Sequence, residues 1–411
     1  MTTNVHQHEV SKLSIGASLN HDTQRSMKAK YAPLSVSERI KRQLDRLMAS
    51  PLIYKISVSN VFTRWFALRR TQQVFDLMAG FVNFQVLLIC VRCGLLERVY
   101  SSPCEYDDLF KYIKLPKENL DLLIKSAISL GLLERRGKHR FGIGKLGLPV
   151  VCHPGICSMV EHNAVLYNDM QDTWKLLAST EKSRMNEFWP YAKPVEQGGA
   201  KSQAESTLGE ERTKQFAKYS ELMSASQNFV IDEILGAYDF SGHSKMLDIG
   251  CGKGRFVSAV AEHYPELEFA LMDLPEVIHL TKQNLIEKSF YKRIQLFPGS
   301  FKLDPLPQGV DLITLVRVAH DHSDLVVKTL LKKIYQSLPS KGTLLLAEPM
   351  ANPEGARHDA YFHFYLLAMG EGRLRTRDQL TDMILEAGFS GVEVLSNPMA
   401  IHAKVLIARK Y

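Results

Sequence analysis

The sequence has 411 residues, 45% hydrophobic and 23% charged, which suits a soluble chain of two or more domains. No uninterrupted apolar run approaches the roughly 20 residues of a spanning helix, and six cysteines without paired spacing read as reduced thiols of a cytosolic protein. The net charge of +7 is concentrated at one end: residues 1–70 hold 12 Lys+Arg against 4 Asp+Glu (+8), and the remaining 39 against 40 give −1.

Residues 1–70 therefore form a basic N-terminal extension, where an anionic partner is to be sought. Its first 30 residues are polar and poor in large apolar groups, and are expected to be disordered. Ser37–Met48 has the pattern of an amphipathic basic helix. Phe62, Trp65, Phe66 and Leu68 then alternate with Arg64, Arg69 and Arg70. Basic and aromatic groups together suit peripheral docking on an anionic membrane. A helix packed on the body with a solvated basic face has the same pattern.

Residues 72–98 are apolar nearly all round, so this helix is expected to be buried on several sides, as at a subunit interface. Residues 106–145 read as a winged helix. A short helix comes first, then Leu120, Leu123, Ile124, Ala127 and Ile128 as a helical stripe, then a basic hairpin turning at Gly137. Few side chains of Leu120–Leu130 suit base readout, so no nucleic-acid partner is expected. Trp174 is expected as a lid or core residue of the helical 155–180 segment. Residues 181–210 form a linker, and its aromatic Phe188–Tyr191 run suits the cover of an apolar pocket.

From residue 211 onward strands and helices alternate. Strands are expected at 245–249, 268–272, 294–297, 311–316 and 342–347, with a final pair near 391–396 and 402–409. The fold class is α/β, a Rossmann-like doubly wound sheet preceded by an all-α/winged-helix domain over 71–180.

The first of these strands enters Gly250-Cys-Gly252-Lys-Gly254. Glycines let the backbone turn tightly and approach a ligand. The spacing differs from the dinucleotide fingerprint. Asp248 precedes the turn and can orient the loop or hold a cationic ligand. Asp273 ends the next strand, where a ribose-binding carboxylate belongs. With no phosphate-gripping lysine motif, this set suits S-adenosylmethionine, which has a ribose and a sulfonium but no pyrophosphate.

Ligands of such sheets lie at the carboxyl ends of the strands. Those ends carry Pro298-Gly-Ser300-Phe301, a candidate adenine-side loop, then Arg317-Val-Ala-His320-Asp-His322, then Glu348. His320 is the candidate general base, because imidazole titrates near neutrality. Glu348 would orient the imidazole and stabilise its cation. A satisfied core histidine remains the plainer alternative. His320 and His322 lack a third ligand at metal spacing, so no metal is expected. Tyr219, Met223 and the Tyr361–Met369 stretch, with Phe362, Tyr365 and Met369, suit either core packing or a wall for a large apolar substrate.

The motifs Leu247-Asp-Ile-Gly-Cys-Gly-Lys-Gly, Asp273-Leu274-Pro, Gly299-Ser-Phe, Arg317-Val-Ala-His-Asp, Glu348-Pro and Arg375-Thr376 resemble the class II O-methyltransferases of caffeate and hydroxyindole type. The resemblance covers roughly 72–411. It implies Gly250, Gly252, Asp273 and Leu274 on S-adenosylmethionine, Arg317, Ser300 and Phe301 near the adenine, His320 as base, and a homodimer through the winged-helix domain. Further stretches, Tyr219–Gln227, Leu315–His322 and Asp359–Gly370, resemble the family's carotenoid branch, the demethylspheroidene (hydroxyneurosporene) enzymes. By that resemblance the reaction is methyl transfer to a 1-hydroxy acyclic carotenoid, releasing S-adenosylhomocysteine, in a cytoplasmic enzyme peripheral to the inner or photosynthetic membrane. Alternatives are methylation of a bacteriochlorophyll precursor or small phenolic, and a winged-helix regulator that senses the cofactor. Two positions depart from the pattern. Ser300 stands where the family loop carries an acid. Leu374 stands where phenol methyltransferases carry an acid before Arg-Thr.

Overall fold

The computed structural model describes residues 35–178, 181, 183–188, 230–396 and 403–411. The chain divides into two units, Met1–Phe81 and Val82–Tyr411. In the first unit Ser35 caps helix α1 (Val36–Met48). The Ser35 hydroxyl accepts from the Glu38 amide, and the Glu38 carboxylate accepts from the Ser35 amide. Pro51 opens α2 (Pro51–Ser59), where a missing N–H leaves no bond unmade.

Helix α3 (Val61–Arg92) runs for 32 residues. It is long and apolar enough, by length and composition, to cross a membrane. This corrects the sequence expectation that no stretch qualifies. Gln72, Gln73, Asp76, Asn83 and Gln85 break every apolar run, so only an average over the helix reveals its character. Its apolar surface is only partly covered within the single chain. Val74, Phe75, Leu77, Met78 and Phe81 are exposed, so the burial expected for an all-round apolar helix is not made within the chain.

In the second unit the end of α3 enters a small core. Cys90 is buried, and Val86, Leu87 and Val91 pack beside it. Helices α4 (Leu95–Ser101), α5 (Tyr106–Ile113) and α6 (Lys117–Ser129) complete this core with a three-stranded antiparallel sheet. Its order is β1 (Cys104–Glu105), β3 (Arg140–Ile143), β2 (Leu133–Arg136). The stripe Leu120, Leu123, Ile124, Ala127 of α6 faces inward, as its spacing predicts. Helix α7 (Pro154–Asp169) follows. Trp174, expected as lid or core, is 80% exposed.

The larger sheet has seven strands in the order β11–β12–β8–β7–β4–β5–β6. These are β4 (Lys245–Ile249), β5 (Glu268–Asp273), β6 (Ile294–Pro298), β7 (Leu312–Val316), β8 (Thr343–Glu348), β11 (Val392–Leu395) and β12 (Lys404–Arg409). All pair in parallel except β12, which is antiparallel to both neighbours. The strands are apolar on both faces because helices cover both faces. Leu247, Ile249, Ile313, Leu315, Leu344 and Leu346 face one cluster, with α10 (Asp324–Ser337) and α12 (Arg377–Glu386). Met246, Leu312, Val316, Leu345 and Ala347 face the other, with α8 (Arg255–His263), α9 (Pro275–Leu285) and the helix over 230–237. Helix α11 (Arg357–Met369) and the short parallel pair β9 (Met350–Ala351) and β10 (Arg375–Thr376) come after β8 in the chain. The five parallel strands β4–β8 therefore end along one edge, at Ile249, Asp273, Pro298, Val316 and Glu348.

Phe240 anchors the second cluster, fully buried with its ring 5.0 Å from Tyr238, 6.2 Å from Phe256 and 5.4 Å from Tyr264. Phe240→Ala is expected to cost about 3–5 kcal/mol. Urea unfolding followed by circular dichroism measures it, and an unchanged midpoint would contradict this packing.

Candidate active site

The glycine turn leaves β4 with Gly250 at φ 73° and Gly252 at φ 53°. A Cβ on Gly250 would lie 2.7 Å from a Val318 methyl, whereas one on Gly252 would meet no atom within 4 Å. Gly250 thus permits close packing onto the next loop, and Gly252 leaves open backbone for a ligand. The turn is pinned from α9. Thr281 Oγ1 donates to the Gly252 carbonyl at 2.6 Å, and Asn284 donates to that of Lys253 at 2.9 Å.

Asp273 receives the Gly252 amide at 2.9 Å on one oxygen and the Leu274 amide at 2.8 Å on the other. A carboxylate at this strand end has the acceptor chemistry that a ribose hydroxyl needs. Asp248 is buried and accepts from Thr314 Oγ1 at 2.7 Å. Burial pushes its carboxyl up to about 7 against that hydrogen bond, and the nearby Asp273 charge adds to the rise. Open backbone at Gly252 beside a strand-end carboxylate fits a nucleoside cofactor. Gly250, Gly252, Asp273 and Leu274 would hold it.

Ser300, set apart in the sequence as a missing acid, has an acid beside it. The Asp304 carboxylate accepts the Ser300 amide at 2.7 Å. Phe301 packs edge-on to His322 at 5.2 Å between ring centres.

The structure brings His320 and Glu348 together. Glu348 Oε1 accepts the amides of Val318 (2.8 Å) and Ala319 (2.6 Å), and Oε2 accepts His320 Nδ1 at 2.6 Å. The His320 amide reaches the same oxygen at 3.3 Å. Glu348 accepts only, so Nδ1 carries the proton of the neutral ring and Nε2 has the free lone pair. Nε2 lies 3.2 Å from Asp321 Oδ1. Burial pulls the imidazole pKa down, but Asp321 and Glu348 together outweigh it, and the net shift is upward. Asp321 is itself held above its ordinary value by burial, against the pull of His320. His322 is pushed down to about 3, mainly by burial, and stays neutral.

Arg375 holds this loop from behind. It is 1% exposed and donates to the carbonyls of Ala319 (2.8 Å) and His322 (2.7 Å) and to Asp324 (2.9 Å). The sequence marked Arg375 only as part of a motif, and it gave Asp321 no role. The acid directly following a candidate base was the available signal for Asp321. Nothing local signals that Arg375 is buried.

Helix α11 supplies a wall. Tyr361 and Tyr365 stack at 5.8 Å, and Phe362 packs edge-on to Tyr361 at 5.3 Å. Tyr361 donates to Asn163 at 2.8 Å, and the Tyr365 hydroxyl lies 3.1 Å from His162 Nε2. Both partners lie on α7 and were absent from the sequence reading. Burial pushes His162 down to about 4, so it is a neutral partner. Tyr365, Met369 and Leu374 share an apolar cluster with Leu166, and Phe362 packs against it. Met369 is 1% exposed and serves as packing within that cluster. Arg317, at φ 56°, was read with the adenine. Its charge acts on His320, Asp321, Tyr361 and Tyr365. Tyr219, Met223 and residues 189–191 lie outside the described residues.

An O-methyltransferase domain model matches residues 164–390. Demethylspheroidene O-methyltransferase of Cereibacter sphaeroides is 35% identical over 353 residues, 85% of this chain and 89% of the relative. The enzyme of the same description from Rhodobacter capsulatus is 34% identical over 369 residues, 88% of this chain and 84% of the relative. The chain belongs to the O-methyltransferase family. The fold agrees with human N-acetylserotonin methyltransferase, solved with S-adenosylmethionine, at a TM-score of 0.67 and 22% identity, covering 83% of this chain and 97% of that one. The cofactor of this O-methyltransferase is S-adenosylmethionine. Among the described residues no group of three or more His, Cys, Asp or Glu is placed to hold a metal.

As a candidate base with a raised pKa, His320 must lose its proton before it can accept another. The kcat/KM of this enzyme is therefore expected to rise with pH through an apparent pKa above the ordinary imidazole value of about 6.5. Asp321→Asn removes an anion that stabilises the imidazolium, so the profile should move to lower pH. A shift to higher pH would contradict the assigned geometry.

Proposed function

We propose that this enzyme transfers a methyl group to the 1-hydroxy group of an acyclic carotenoid. The observation that carries this is the apolar position 374. Leu374 is buried with Tyr365 and Met369 beside the histidine loop, where phenol methyltransferases carry an acid. The two demethylspheroidene enzymes, matched over most of their length, support the same acceptor class.

The bound cofactor supplies an electrophilic methyl group. His320 Nε2 accepts the acceptor's proton. A tertiary alcohol is far less acidic than imidazolium, so the proton moves as the C–O bond forms, not before. Such assistance contributes about 10²–10⁴-fold. Alignment of the oxygen contributes more, about 7–11 kcal/mol of barrier. Glu348 positions the ring through Nδ1 and stabilises its cation. Asp321, 3.2 Å from Nε2, stabilises the developing imidazolium by its charge. Tyr361 and Phe362 offer aromatic surface to an apolar chain, with the Tyr361 hydroxyl engaged by Asn163 and Tyr365 packed behind them in the cluster.

A homodimer through the helical N-terminal domain would cover the exposed Leu77, Met78 and Phe81 of α3. We place the enzyme on the cytoplasmic side of the inner or photosynthetic membrane. Nucleic acid is not a proposed partner. Cations of the β2–β3 wing are already engaged, Arg136 with Glu134 at 2.8 Å and Arg135 over Phe141 at 5.5 Å.

Mass spectrometry of carotenoids from a host making the unmethylated alcohol tests the assignment. A product one CH2 heavier should appear only with this protein. His320→Ala should lose about 10²–10⁴-fold in turnover while binding S-adenosylmethionine as before by calorimetry. Turnover near that of the parent would remove His320 from its role.

A further inference from the structure

Residues 35–70 leave an unusual set of large side chains uncovered. Helix α1 is capped at both ends by local hydrogen bonds. Its apolar residues Val36, Ile40, Leu44, Leu47 and Met48 recur at i, i+4, i+8, i+11 and i+12, which is one helical face. All five are more than half exposed. Arg39, Arg42 and Arg46 occupy the opposite side. In the first turns of α3, Phe62 is 87% exposed, and Trp65 and Phe66 are 57% and 63% exposed. The Arg69 guanidinium stands 5.2 Å over the Trp65 ring. Arg64 and Arg70 flank the same aromatic half of the helix.

The charge decides between occupants. Residues 35–70 carry eight cations (Arg39, Lys41, Arg42, Arg46, Lys55, Arg64, Arg69, Arg70) and two anions (Glu38, Asp45), a net of +6. A second copy laid on this face would set +6 against +6. A nucleic acid would neutralise the cations but leave the apolar stripe of α1 wet. An anionic bilayer satisfies both, with apolar groups entering the headgroup boundary and long cationic side chains reaching the phosphates. The start of helix α3 carries three arginines, and its last turns, at Cys90 and Val91, pack in a protein core.

We infer that residues 35–70 are a docking face for an anionic lipid bilayer. The face holds the enzyme where an apolar acceptor is dissolved. This goes beyond the proposed acceptor and stands without it, since docking needs no substrate.

Co-sedimentation of the full chain tests this, using phosphatidylcholine vesicles with and without phosphatidylglycerol. Binding should be on the order of tenfold or more tighter to the anionic vesicles. It should weaken as salt shortens the Debye length from about 10 Å to about 3 Å. Two triple variants, Phe62→Ser/Trp65→Ser/Phe66→Ser and Lys41→Gln/Arg42→Gln/Arg46→Gln, should each lose about tenfold. Their circular dichroism and their methyl transfer to detergent-dispersed acceptor should be unchanged. Equal binding to neutral and anionic vesicles would overturn the inference, as would full binding by the aromatic variant. Light scattering that shows the aromatic variant losing its dimer would reassign the face to contact between copies. Retention on an oligonucleotide with no vesicle binding would reassign it to nucleic acid. Vesicle binding with no turnover of any carotenoid alcohol would remove the acceptor assignment alone.

Discussion

One carboxylate organises the catalytic edge of this molecule. Glu348, the last residue of β8, gathers the amides of Val318 and Ala319 and the imidazole of His320. Without it, buried N–H groups would stand unpaired at about 1–3 kcal/mol each. Reaching it forces Arg317 into a left-handed backbone conformation, φ 56°, which a non-glycine residue adopts only when its surroundings impose it. Arg375 completes the frame with opposite polarity, taking the carbonyls that the turn exposes. The loop is thus held by an anion through its N–H groups and by a cation through its C=O groups.

This frame also explains why two neighbouring histidines are shifted in opposite directions. His320 lies between two carboxyl groups, and His322, two residues on, packs beside Phe301 and feels the charges of Lys302 and Arg375. Burial acts on both rings in the same direction. Only the anionic partners of His320 reverse it. Across the site, α7 engages the tyrosine hydroxyls of α11, so aromatic residues there offer hydrocarbon surface in place of hydrogen-bonding capacity.

Much of the fold was legible in the sequence because the central strands are short, β-branched or leucine-rich runs bounded by Gly, Asp and Pro. The turn at Gly250–Gly254 and the acids at 248 and 273 follow from the same local grammar. His320 and Glu348 were readable as a pair because parallel strands deliver their ends to one edge. What was not legible depends on tertiary distance. His162 and Asn163 lie about 200 positions before the tyrosines they meet, and no period in either helix announces it. Arg375 looks like a surface cation in sequence and is buried in the fold. Helix α3 is a different case, since its apolar positions suggested burial as at a subunit interface, and the single chain leaves many of them exposed.

The placement of β12 sets the order in which this molecule can be made. Lys404 pairs with Glu348 and Arg409 with Thr343, so β8 becomes an interior strand only when β12 slots in beside it. Those partners are 56 positions apart at the Glu348 end (404 − 348), which is roughly 3–11 s of synthesis at about 5–20 residues per second. Through that interval Leu344, Leu345, Leu346 and Ala347 line an open strand edge. The strand that carries the organising carboxylate thus stays an open edge until β12 arrives, and slower translation would lengthen that interval.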